Sequence, residues 1–169
     1  NAATQRAYRE SMPEGDVPLP AETARKVMVI GGGPAGLEAA RIAAERGHSV
    51  TLYEKKGVLG GLLSFANAVK GPHENLEDFR KYLVRQQELK NVKVVLDTEV
   101  TSEMIKKEAP DAVILAVGGA RPTLGLSASS KTNVISIEDI ASAKIGSEVT
   151  IVGGNLQAVD AAQYLIAQG

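Results

Sequence analysis

The chain has 169 residues, 44% apolar and 23% charged, which suits one globular domain or one domain with part of a second. A net charge of −1 and an aromatic content of only 4% give no reason to expect nucleic acid or an anionic membrane as partner. With no cysteine, the chain can hold no disulfide, thiolate nucleophile or cysteine-ligated metal.

The two histidines, His48 and His73, have no metal-site spacing, so no metal site is expected. No apolar run reaches the ~18 residues that a bilayer span requires, and no signal peptide is visible. The expected compartment is the cytoplasm. Residues 1–24 carry Pro13, Pro18 and Pro20 among acidic residues and read as an extended lead-in.

Regular structure is expected from Arg25. Lys26–Ile30 is a short apolar run ending at glycines, as a buried parallel strand would. A helix follows, with Pro34 in its first turn, an apolar face of Leu37, Ala40, Ile42, Ala43 and Ala44, and Gly47 as its stop. Ser49–Tyr53 is a second strand and completes a βαβ unit. Residues 57–71, with Gly60-Gly61, read as loop. A helix is expected over 74–89, with Leu76, Phe79, Tyr82 and Leu83 on one face, and a third strand over 91–96. Thr101 or Ser102 caps a short helix that ends before Pro110, and 111–117 is a fourth apolar run. Residues 120–132 are a looser Ser/Gly-containing segment. A further strand over 148–152 and a helix with Val159, Ala162, Leu165 and Ile166 close the chain.

The chemistry concentrates at Gly31-Gly32-Gly33-Pro34-Ala35-Gly36. G-x-G-x-x-G between a strand and a helix is the context in which this motif cradles a dinucleotide pyrophosphate. Gly31 permits the tight turn, Gly33 lets the phosphates approach the backbone, and Gly36 lets helix and strand pack closely. The helix N-terminus offers unpaired N–H groups and partial positive charge. Glu54 ends the second strand, where a carboxylate accepts hydrogen bonds from the adenosine ribose. FAD is the expected ligand.

The segment from Val152 repeats this start: Val152-Gly153-Gly154-Asn155-Leu156-Gln157-Ala158 aligns with Ile30 to Gly36. Here Asn155 takes the middle glycine's place and puts a side chain where a pyrophosphate would approach. Gly153 and Asn155 therefore mark a second, altered site, expected to concern NAD(P)H. No Ser/His/Asp set or carboxylate pair is present, so no catalytic residue is expected; the chain binds and orients a cofactor that carries the chemistry. The expected fold is α/β and Rossmann-like, with a parallel central sheet. Residues 25–145 are expected to form the N-terminal part of an FAD-binding domain, and 146–169 the first strand and helix of a truncated NAD(P)-binding domain, the whole being a fragment of a larger protein.

The run from Lys26 to Glu54 resembles the FAD domain of two-dinucleotide flavoproteins. Leu59-Gly60-Gly61-Leu62, residues 111–118 with Arg121-Pro122, residues 134–140 and the second glycine turn are together similar to a narrower group: NADH:flavin oxidoreductases of the 2,4-dienoyl-CoA reductase and 2-enoate reductase type. The resemblance implies that electrons pass from NAD(P)H to FAD, through a 4Fe-4S cluster to FMN, and on to an activated C=C bond. It implies that Gly31, Gly33, Pro34, Ala35 and Gly36 contact the FAD phosphates and that Glu54 holds the ribose with Lys55 nearby. Gly60, Gly61 and Leu62 lie along the dinucleotide, Val100 gives backbone contacts to adenine, and Ala116, Val117 and Gly118 pass close to it. FMN and the cluster belong to the remainder of the polypeptide, a flavin barrel that is the expected partner, and the fragment alone is expected to be inactive. The last strand and helix, lacking their domain, either dock on the first sheet or pair between chains, so a homo-oligomer is open. Two alternatives stand beside this: a structural ADP-type nucleotide site, as in trimethylamine dehydrogenase-like proteins, and an electron-supplying module similar to the glutamate synthase small subunit, which shares Gly-Gly-Leu-Leu.

Overall fold

A computed structural model of the chain describes residues 18–71, 75–119 and 132–168. Its elements are β1 (Lys26–Ile30), α1 (Pro34–Glu45), β2 (Ser49–Tyr53), α2 (Leu62–Lys70), α3 (Leu76–Leu89), β3 (Lys93–Val95), α4 (Ser102–Glu108), β4 (Ala112–Leu115), a 3-10 turn at Ile137–Asp139 and α5 (Leu156–Gln168). The chain separates into two compact units, one of residues up to 61 together with 80–118, the other of 62–79 and 119 onward.

The first unit is a four-stranded parallel sheet in the order β3-β2-β1-β4. β1 lies between β2 and β4, with Val27 opposite both Val50 and Ala112. Val27, Met28 and Val29 are all buried, which is why β1 reads as a continuous apolar run: a central parallel strand is covered on both faces. Leu37, Ala40 and Ala43 form the inward stripe of α1 and, like Leu52 of β2, are buried. Burying each such leucine stabilises by about 1.5–3 kcal/mol. Leu83 and Gln87 of α3 are buried as well, and the Gln87 side-chain amide donates to the carbonyls of Leu37 and Leu83, both at 2.9 Å. That pair of bonds ties α3 to the first turn of α1.

β3 is shorter than the expected 91–96 and β4 shorter than 111–117. β3 starts late because Asn91 has φ +55° and the N–H groups of Asn91 and Val92 donate to Glu88 O and Gln87 O, while beyond β4 Ala116 N–H adds one more bond to Ile30 O at 2.8 Å. The end of the lead-in is not free. Pro18 is buried, Ala21 N–H donates to Arg46 O at 2.8 Å, and Arg46 Nε donates to Leu19 O at 3.0 Å.

In the second unit α2 packs on α5, with Lys70 and Asp160 paired at 3.1 Å. A cleft of about 170 Å³ lies between them, lined by Leu62, Phe65, Ala66, Val69 and Ile137 among others. α2 corrects the loop expected over 57–71. Its apolar residues Leu62, Phe65, Ala66 and Val69 recur at i, i+3, i+4 and i+7, a helical stripe that starts immediately after the paired glycines. Residues 148–152 form no strand, a second correction. Val149, Ile151 and Val152 are exposed, and a parallel strand exists only with a hydrogen-bonded neighbour. The following helix forms as expected.

Candidate functional site

β2 and β3 lie on one side of β1 and β4 on the other, so the strand order reverses at the C-terminal end of β1. In open α/β sheets that reversal opens the crevice where ligands bind. The glycine turn occupies it. Gly31 N–H donates to Tyr53 O at 2.8 Å, fixing the start of the turn to β2. Gly31 has φ +108°, a conformation that disfavours side chains, and a Cβ there would overlap the Ala116 carbonyl. A Cβ on Gly36 would overlap the carbonyl oxygen of Gly31 and stand 3.2 Å from Ala116 Cβ. Gly31 and Gly36 are thus glycines because the chain itself fills the space around them.

Gly33 is different. Its φ of −77° and ψ of 179° suit any residue, and no atom lies within 4 Å of where its Cβ would be. Among the described residues nothing requires glycine at that position; the open space is what a ligand approaching the backbone needs. Gly33 is also the N-cap of α1 but has no capping side chain, and Pro34 has no N–H to satisfy. The first helical bond runs from Leu37 N–H to Gly33 O at 2.9 Å, so the amides of Ala35 and Gly36 precede it without a helical acceptor. This cradle fits an anionic group such as a pyrophosphate.

Gly60, Gly61, Ala116 and Val117 adjoin this turn. Gly60 N–H donates to Gly32 O at 2.8 Å, and a Cβ on Gly61, whose φ is +53°, would stand 3.0 Å from Gly33 Cα. Ala116 and Val117 adjoin Gly31, and Gly118 follows with φ +76°. Glu54 directly follows β2 and is only 8% exposed. Its Oε2 accepts from Gly32 N–H at 2.7 Å, and its Oε1 accepts from Lys56 N–H at 2.8 Å. Lys55 is exposed beside it. Val100 is half-buried, two residues beyond Thr98, whose N–H donates to Glu54 O at 3.0 Å. Leu59 is buried with a methyl pointing at Gly32. The motif leaves Gly32 and Leu59 unspecified; three glycines in a row were the available signal for the first.

Three predicted residues lie in the second unit. Leu62 begins α2. Gly153 has φ +130° with open space around it, as a turn glycine would. Asn155 Oδ1 accepts from Ala158 N–H at 3.1 Å, so its side chain caps α5. His48 Nδ1 accepts from Arg25 N–H at 3.1 Å, and His73 and Arg121-Pro122 lie outside the described residues. Among the described residues no group of three His, Cys, Asp or Glu is arranged to hold a metal, and no helix is long and apolar enough to cross a membrane.

The sheet order, the glycine turn and the carboxylate at the end of β2 define a dinucleotide-binding α/β domain. Residues 25–169 match the family model for pyridine nucleotide-disulphide oxidoreductase, and the chain belongs to that family of FAD- and NAD(P)-binding oxidoreductase domains. It is 41% identical to the cinnamate reductase of Clostridium sporogenes over 88% of this chain and 22% of that protein. It is 38% identical to an NADH oxidase of Thermoanaerobacter brockii over 86% of this chain and 23% of that protein. Among solved structures, a 2-naphthoyl-CoA reductase complex matches with a TM-score of 0.83 and 34% identity, over 96% of this chain and 25% of the other. The chain thus spans about a quarter of the length of the proteins it matches. Despite the family's name, it contains no cysteine with which to do disulphide chemistry.

Proposed function

We propose that the turn from Gly31 to Gly36 binds FAD within a larger reductase. The observation that carries this is the open space over Gly33 at the bare N-terminus of α1. The amides of Ala35 and Gly36 donate to the pyrophosphate, assisted by the partial positive charge of the helix end. Glu54 accepts from the adenosine ribose, using lone pairs that its two backbone donors leave free. Lys55, Gly60, Gly61, Val100 and residues 116–118 follow the dinucleotide. FAD, when bound, supplies the electron transfer, accepting a pair from a reduced nicotinamide and passing it on. The chain's part is to hold the dinucleotide.

In the whole protein, electrons would go from NAD(P)H through FAD toward an iron–sulfur and FMN reductase domain that acts on an activated C=C bond. The identity to cinnamate reductase supports this. The test is the full-length protein purified with its cofactors: NAD(P)H should bleach the flavin absorbance and an activated alkene should restore it. A protein without FAD, or flavin that NAD(P)H leaves oxidised, would overturn the proposal.

A second reading is favoured by Asn155. With its carboxamide capping α5 and Ala158 replacing the last glycine, the second turn is less open to a nucleotide, as in a protein that keeps a structural ADP-type ligand and takes electrons elsewhere. Mass spectrometry of the released ligand separates the two: FAD supports the first, ADP the second.

A further inference from the structure

The turn contains a glycine that the motif does not require. Gly32 occupies a free position of G-x-G-x-x-G, yet a Cβ there would overlap a Leu59 methyl and stand 3.1 Å from both Cβ and Oε2 of Glu54. The Glu54 carboxylate presses this close because it is already engaged. Oε2 accepts from Gly32 N–H at 2.7 Å and Oε1 from Lys56 N–H at 2.8 Å. Its own backbone is fastened as well, its N–H donating to Val95 O at 2.9 Å and its carbonyl accepting from Thr98 N–H at 3.0 Å. Gly60 N–H closes the ring on Gly32 O. One buried side chain thus joins the glycine turn, the end of β2 and the segment after it, with both oxygens used by the chain itself.

We propose that Glu54 is a positioning residue: it sets the geometry in which the turn receives the pyrophosphate, separately from any contact with ribose hydroxyls. This rests on the FAD reading above. The clasp needs two acceptor oxygens facing two N–H donors. Glutamine offers one acceptor and turns an NH₂ toward the other donor, so one of the two backbone N–H groups loses its acceptor.

The test uses full-length protein stripped of its flavin and titrated calorimetrically with two probes, ADP and 2′,3′-dideoxy-ADP. Both carry the same pyrophosphate, and only ADP carries ribose hydroxyls. Glu54→Gln should weaken both by on the order of tenfold, the size expected for losing a hydrogen bond to a charged group. Gly32→Ala, which wedges a methyl against Glu54 without altering the carboxylate, should weaken both as well. Amide exchange at Gly32 and Lys56 should quicken in Glu54→Gln while the amides of Val29 and Leu52 stay protected, which shows that the sheet is intact. If Glu54→Gln leaves dideoxy-ADP binding unchanged and weakens only ADP, Glu54 acts through the ribose alone and the positioning role is overturned. If the unaltered protein binds neither nucleotide, the FAD reading fails, and the positioning role with it.

Discussion

Gly33 and Gly36 separate two reasons for being glycine, and their alanine variants should behave differently. A methyl at Gly36 must displace the Gly31 carbonyl, so Gly36→Ala should lower the melting temperature of the flavin-free protein, with a cost of about 1–3 kcal/mol typical of overpacking. A methyl at Gly33 meets no protein atom, so Gly33→Ala should melt within a degree or two of the parent yet lose bound FAD, read as the ratio of flavin to protein absorbance. Equal flavin content in Gly33→Ala and the parent would contradict the assignment. The places of Gly31, Gly33, Gly36 and Glu54 at a turn, a helix N-terminus, a helix contact and a strand end were legible in the sequence because each follows from local spacing. Gly32 was not, because its demand comes from Leu59 and Glu54, which only the folded chain brings to it. Asn155 was legible as a departure from the motif, but its capping bond was not, since a side chain's partner depends on local backbone geometry.

At the scale of elements, α1 carries an ion-pair chain on its outer face. Arg41 reaches Glu38 and Glu45, both at 2.6 Å, and Lys90 reaches Glu45 at 3.1 Å, linking α1 to the residue after α3. The hydrogen bond from Arg41 holds the Glu38 carboxyl below its ordinary value of 4.5, and Glu38 in turn holds the Arg41 guanidinium above its own. A carboxyl depressed in the folded state stabilises above its unfolded pKa, and the gain is lost as pH falls through the lower folded value. Glu38→Gln should therefore flatten the fall in stability below about pH 4.5. Solvent screening of this half-exposed side chain keeps the effect to about a few tenths of a kcal/mol, within reach of denaturation curves in parallel buffers. Thr101 caps α4 by accepting from Met104 N–H at 3.3 Å, and Thr101→Ala should cost about 0.5–1 kcal/mol in urea unfolding. β1, β2, α4 and the start of α1 fall where periodicity and capping residues put them. α2 was missed because Gly60-Gly61 drew its apolar stripe into an apparent loop. The strand at 148–152 was over-read because an apolar run specifies a strand only when a neighbour supplies the other half of the ladder.

For the whole molecule, a ligand that binds only the folded state raises stability by mass action. Free FAD at a hundred times its dissociation constant should add about 2.7 kcal/mol, seen as a concentration-dependent rise in melting temperature that Gly33→Ala abolishes. β4 closes one side of the sheet among the described residues, and its apolar side chains are not all covered: Leu115 and the following Val117 are each 71% exposed. A strand flank of that kind is a template on which another chain can pair. Handling of the isolated polypeptide should therefore be governed by its colloidal behaviour. Its light scattering should climb with concentration and time, and a single gatekeeper charge, Leu115→Lys, should keep it dispersed without touching the glycine turn.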